Sequence, residues 1–106
     1  MIEVDKTNFD SEIREFAGTM LVDYWGDGCV PCEALKPHIH GFEEVYGDKI
    51  KFASVKLQGA RRDCIKEGVA GLPVIAIYQG GKMVDSKVKE EATPESVEEM
   101  IKKYYK

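Results

Sequence analysis

A β-prone apolar run, Met20–Trp25, stops at Gly26 and Gly28 and gives way to a helical pattern from about Val30 to Tyr46. A strand that hands over to a helix through a glycine-broken loop is one unit of an α/β layer architecture. Two cysteines, Cys29 and Cys32, sit on that seam. Leu35, Ile39, Phe42 and Tyr46 give the helix an apolar stripe, and Pro37 is expected to bend it.

The rest of the chain continues the alternation. Thr7–Phe16 reads as a first helix, with Thr7 as its cap, Asp10 at capping-box spacing and Phe9, Ile13 and Phe16 on one face. Ile50–Leu57 alternates as a strand, and Ala60–Glu67 reads as a helix ended by Gly68. Pro73–Tyr78 is a strand that opens on a proline, Gly80-Gly81 a hairpin turn and Lys82–Lys89 the returning strand. Thr93 and Pro94 open a last helix. Val97, Ile101 and Tyr104 or Tyr105 form its inner face, and its charges run acidic to basic, as the helix dipole favours. Strands separated by helices favour parallel pairing with right-handed crossovers, and the hairpin adds antiparallel strands. A central mixed sheet covered by helices on both faces follows.

With 106 residues the chain is expected to form a single domain, 1–106. A net charge of -4 argues against a nucleic-acid partner. No apolar run approaches the roughly 20 residues that span a bilayer, and the N-terminus has no basic segment followed by an apolar core, so a cytoplasmic location is expected. Three cysteines make no disulfide framework, and in a reducing compartment a close pair reads as redox or metal chemistry.

Cys29-Val30-Pro31-Cys32 lies where unpaired N–H groups and the positive end of a helix dipole favour an anion, which stabilises a thiolate at Cys29. Two intervening residues let both sulfurs meet on the first turn, so one thiol can attack a disulfide and the other resolve the mixed disulfide. Asp23 is a carboxylate inside an apolar strand. Burial would raise its pKa and make it a proton acceptor for the resolving thiol, directly or through water. The alternative is a solvent-facing edge or a turn cap. Zinc is the chemical rival, since His38 and His40 follow the CxxC pair. A structural zinc site commonly takes four ligands, though, a second knuckle is missing and His38 lies almost two turns from Cys32. No metal site is therefore predicted, and the histidines are placed on the helix surface. Cys64, with Ile65 and Val69 as neighbours, reads as a small buried hydrophobe rather than a regulatory thiol.

Val22-Asp23-Tyr24-Trp25 leading into Gly28-Cys29-Val30-Pro31-Cys32, then Gly71-Leu72-Pro73 before an apolar strand and Gly80-Gly81-Lys82, resembles the thioredoxin family over essentially the whole chain. The resemblance implies a thioredoxin fold, a mixed sheet of about five strands flanked by about four helices. It also implies protein-disulfide reductase and electron-carrier activity without a cofactor. By the same resemblance Cys29 is the exposed nucleophile, Cys32 the buried resolving cysteine, Asp23 the buried acid and Lys56 the lysine near it. Trp25 packs beside the disulfide and Pro31 stiffens the turn. Pro73 is a cis-proline, with the Leu72 backbone pairing with an extended substrate strand. A trans proline opening a strand is the alternative for Pro73.

Four positions depart from the family pattern. Gly28 replaces a tryptophan, Val30 the glycine of the usual motif, Glu33 a basic residue and Glu90 a glycine that lines the substrate groove. Glu33 and Asp27 put negative charge near the thiols and oppose thiolate formation. The altered docking face implies a non-standard, flavin-dependent thioredoxin reductase, or at least poor service by a generic NADPH-dependent one; a monomer with disulfide-containing proteins as clients is expected. The competing readings are a redox-inactive interaction module and a disulfide-forming oxidant.

Overall fold

The computed structural model describes residues 1–106. Five strands, β1 (Ile2–Val4), β2 (Thr19–Trp25), β3 (Lys51–Lys56), β4 (Val74–Gln79) and β5 (Lys82–Val88), form one sheet in the order β1-β3-β2-β4-β5. Three α-helices, α1 (Val30–Tyr46), α2 (Arg61–Lys66) and α3 (Pro94–Tyr104), and a π-helical turn at Asp10–Arg14 complete the expected four helical elements. β1 and β2 run parallel to β3, whereas β4 is antiparallel to β2 and β5. This is the mixed sheet with helices on both faces that the alternation predicts.

The central strand decides the layering. Along β2, Met20, Val22 and Tyr24 join one core cluster, while Leu21 joins the other. The first cluster packs beneath the π-helical turn and α2 through Phe9, Ile13 and Cys64; the second packs beneath α1 and α3 through Leu35, Ile39, Val97 and Ile101. Side chains alternate across a strand, so Asp23 and Trp25 share the face of Leu21, under α1.

Three local features differ from the sequence reading. β1 is not predicted, because three residues carry too little periodicity; its pairing with β3 creates it. The first helix is shorter than Thr7–Phe16 and Thr7 does not cap it. The Asp5 N–H donates to Asn8 Oδ1 and the Thr7 N–H to Asp5 Oδ1, both at 2.8 Å, so Asp5 and Asn8 close a turn before the helical segment. Asp10 pairs with Arg14 (2.6 Å) instead of completing a capping box. The third feature is a buried polar chain on the first core face. Tyr78 Oη donates to Glu67 Oε1 (2.7 Å) and accepts from Tyr24 Oη (2.6 Å), while Arg14 joins Glu67 to Asp63 across two helical elements.

The remaining ends follow their local chemistry. Gly80 and Gly81 take φ of 60° and 82°, the left-handed pair that a two-residue hairpin needs. Thr93 caps α3 by accepting from Ser96 N, and Ser96 Oγ returns a bond from Thr93 N, both at 3.0 Å.

Candidate active site

β2 ends at Trp25 and α1 begins at Val30, so the four residues between them form the loop that carries the first cysteine. Gly26 makes that loop possible. A β-carbon there would lie 2.9 Å from Leu72 Cδ1 and 3.1 Å from Gln58 Oε1, so the glycine lets three loops converge. Gln58 secures the loop by accepting from Asp27 N at 3.2 Å. Gly28 takes φ 79°, so the position where the family pattern has a tryptophan adopts a backbone that side chains rarely take.

Cys29 is the N-cap of α1, its sulfur accepting from the Cys32 N–H at 3.2 Å. The two sulfurs are joined as a disulfide with Cα atoms 5.3 Å apart. Cys32 is buried at 5% exposure, whereas Cys29 is half-buried and Val30 beside it is 73% exposed. When the disulfide is reduced, the N–H and the helix dipole that now meet a disulfide sulfur face a thiolate instead. Pro31, exposed in the first turn of α1, costs no intrahelical bond.

Asp23 lies beneath this turn at 6% exposure. Burial pushes its pKa up to about 6, against an opposing pull from the Lys36 charge. Asp23, Trp25, Cys32, Glu33 and Lys36 line one cavity of about 100 Å³, which is roomy enough for water. Trp25 is held by its indole N–H donating to Ser54 Oγ at 2.7 Å. Two ammonium groups sit against its ring, Lys36 at 5.0 Å and Lys56 at 5.6 Å from the centroid.

Lys56 differs from the arrangement implied by the resemblance. Opposite Trp25 in the β2–β3 register, it pairs with Asp27 at 3.1 Å, and no lysine lies within ion-pair distance of Asp23. The lysine sharing the cavity with Asp23 is Lys36, which the sequence reading does not name. Its only sequence signal is spacing, one helical turn after Cys32. The same Lys56 pair compensates the Asp27 charge and leaves Glu33 as the acid in the first turn of α1.

On the opposite side of the site the Leu72–Pro73 peptide is cis. Antiparallel pairing of Tyr24 with Val74 brings this peptide to the sheet end where β2 enters the cysteine loop. Pro73 O accepts from Lys89 N at 2.7 Å, while the Leu72 backbone makes no intramolecular hydrogen bond. Lys89 has φ 55°, the only non-glycine residue with positive φ. The left-handed position that glycine would suit is therefore Lys89, one residue before Glu90, and Glu90 follows it in a 3₁₀ turn.

His38 and His40 are exposed on α1, and no group of three or more His, Cys, Asp or Glu residues is arranged to hold a metal. Cys64 is fully buried in the first core cluster, and burial pushes its thiol up to about 11. No helix is long and apolar enough to cross a membrane.

Comparison with known proteins agrees with this geometry. The family model described as Thioredoxin matches residues 1–103. The chain is 47% identical over 104 residues to the thioredoxin of Acetoanaerobium sticklandii, covering 98% of this chain and 99% of that one. It is 40% identical over 104 residues to the thioredoxin of Peptoclostridium acidaminophilum, covering 98% and 94%. Among solved structures, thioredoxin from Malassezia sympodialis superposes with a TM-score of 0.88 at 19% identity, covering 100% of this chain and 92% of that one, a likeness of fold.

Proposed function

The chain belongs to the thioredoxin family and is a thiol–disulfide oxidoreductase, and from that premise we propose that it reduces protein disulfides with Cys29 as the attacking thiol and Cys32 as the resolving one. The observation that carries this division of roles is Cys29 as N-cap, half-buried and bonded by the Cys32 N–H, with Cys32 itself buried. The Cys29 thiolate attacks one sulfur of a client disulfide, forming a mixed disulfide and releasing a client thiolate that takes a proton. The Cys32 thiol then passes its proton to Asp23 and attacks Cys29 Sγ, closing the internal disulfide and releasing the second client thiolate. Asp23 gives that proton up through solvent to the second client thiolate, so that, with the proton Cys29 released on ionising, two electrons and two protons pass in total from the dithiol to the client. Asp23 is the buried carboxylate that shares a cavity with Cys32, whereas Glu33, the other acid lining it, is exposed.

Trp25 and Pro31 border the disulfide, and the free Leu72 backbone beside cis-Pro73 pairs with an extended client strand. Lys56 acts on the loop through Asp27. The chain works as a single domain and a monomer in the cytoplasm. A thioredoxin reductase returns two electrons and two protons to the Cys29–Cys32 disulfide and so regenerates the dithiol. Gly28, Val30, Glu33 and the Lys89–Glu90 turn reshape the docking rim and favour a non-standard, flavin-dependent reductase over a generic NADPH-dependent one. Insulin reduction by the dithiol tests the reading. Cys29→Ser abolishes it and Cys32→Ser accumulates mixed disulfides at Cys29, whereas activity indifferent to Cys29→Ser points to an interaction module.

A further inference from the structure

Asp23 is charged or neutral inside a layer that offers it almost no polar company. Its own face of the sheet carries Leu21, and the covering helices contribute apolar side chains to the same cluster. The opening left to its carboxyl is the cavity under the first turns of α1, whose other members are Trp25, Cys32, Glu33 and Lys36. Of the charged groups there, Glu33 repels a carboxylate and Lys36 attracts one. Lys56, at the end of β3, is already paired with Asp27. Lys36 is exposed, and its ammonium rests 5.0 Å from the centroid of the Trp25 ring, whose indole N–H is held by Ser54.

The geometry points to Lys36 as a positioning residue for the exchange reaction: held over Trp25 at the mouth of the cavity, its ammonium keeps the Asp23 carboxyl ionised and ready to take the Cys32 proton. The inference rests on Asp23 being that proton acceptor, as proposed above. It transfers to a helix residue one turn beyond Cys32 a role that the resemblance implies for Lys56. The effect assigned to Lys36 passes through Asp23, with which it shares the cavity. The opposing pull of Lys36 on the Asp23 titration agrees with this arrangement.

A carboxyl ¹³C titration of Asp23 in the oxidised protein, run alongside the pH profile of insulin reduction, tests the idea. In Lys36→Met the Asp23 titration moves up by about 0.5–1 pH unit, and the rate at pH 6 falls about two- to fivefold. Lys36→Arg restores both, and Lys56→Met leaves the Asp23 titration where it is. An unmoved titration in Lys36→Met, or a larger move in Lys56→Met than in Lys36→Met, overturns the assignment to Lys36. Asp23→Asn separates this from the underlying reading. A pH profile that Asp23→Asn leaves unaltered removes Asp23 as acceptor, whatever the titration does. A profile that changes in Asp23→Asn but not in Lys36→Met removes Lys36 alone.

Discussion

Lys89 lays its side chain across Gly71, so that a β-carbon on that glycine would have to displace the flexible end of the lysine, while its backbone sits in the left-handed region at φ 55°. The two residues bracket the cis-Pro73 peptide, one through the chain and one through the Lys89 N–H on Pro73 O. A left-handed lysine costs about 1–3 kcal/mol, and glycine at that position costs back about 0.4–1 kcal/mol of unfolded-chain entropy. Lys89→Gly should therefore raise stability by about 1 kcal/mol in denaturant melts. Gly71→Ala should be tolerated better in the Lys89→Gly background than alone, a coupling that a double-mutant cycle reads directly.

The Asp23 carboxyl makes stability depend on pH. Its folded pKa of about 6 lies above the ordinary value of 3.8, so between those two values the native state holds a proton that the unfolded chain has released. Stability is therefore highest below the unfolded value, falls as pH rises through about 6 and stays low above it. Asp23→Asn should stabilise the oxidised protein by about 3 kcal/mol at pH 8 and by far less at pH 4. Thermal melts at the two pH values check both the sign and the difference.

Glu33 is the acid in the first turn of α1, and Lys56 already compensates its neighbour Asp27. Glu33→Lys should lower the Cys29 thiol pKa, read from the pH dependence of alkylation of the reduced protein. An unchanged value would mean that solvent screens Glu33 from the sulfur.

The three cysteines should separate under the same reagent. After reduction Cys29 should be alkylated first and Cys32 more slowly. Cys64, fully buried with its thiol raised to about 11, should react only on unfolding. Mass mapping of modified peptides with and without denaturant gives the order.

Arg14 closes a partly buried network with Asp63 and Glu67, each 15% exposed, and Glu67 in turn accepts from Tyr78. Arg14→Ala leaves two acids facing each other without their cation and should cost about 2–3 kcal/mol, measured by urea unfolding. Arg14→Lys should recover only part of it, because one ammonium cannot reproduce the fork.

Much of this was legible in the chain order itself. Helix α1 appears with the bounds that its apolar stripe predicts, because a long amphipathic segment declares its period. The Cys29–Cys32 seam, the Gly80-Gly81 hairpin and the Thr93 cap of α3 are also local matters, each settled within a few residues by backbone chemistry. β1 and the Asp5–Asn8 turn were less legible. The first is held by a strand far along the chain, and the second by two side chains in competition with Thr7.

By itself, then, the sequence determined that a cysteine pair would stand at a strand-to-helix junction with a carboxylate on the strand behind it. Spacing and residue type suffice for that, because they act within one element or across one loop. Only the tertiary structure decided what surrounds the pair. It paired Lys56 with Asp27 and brought Lys36 to the cavity of Asp23. It also put a left-handed backbone at Lys89, beside Glu90. Those choices depend on which rotamers and loops meet after the layers pack, and through-space electrostatics is indifferent to distance along the chain.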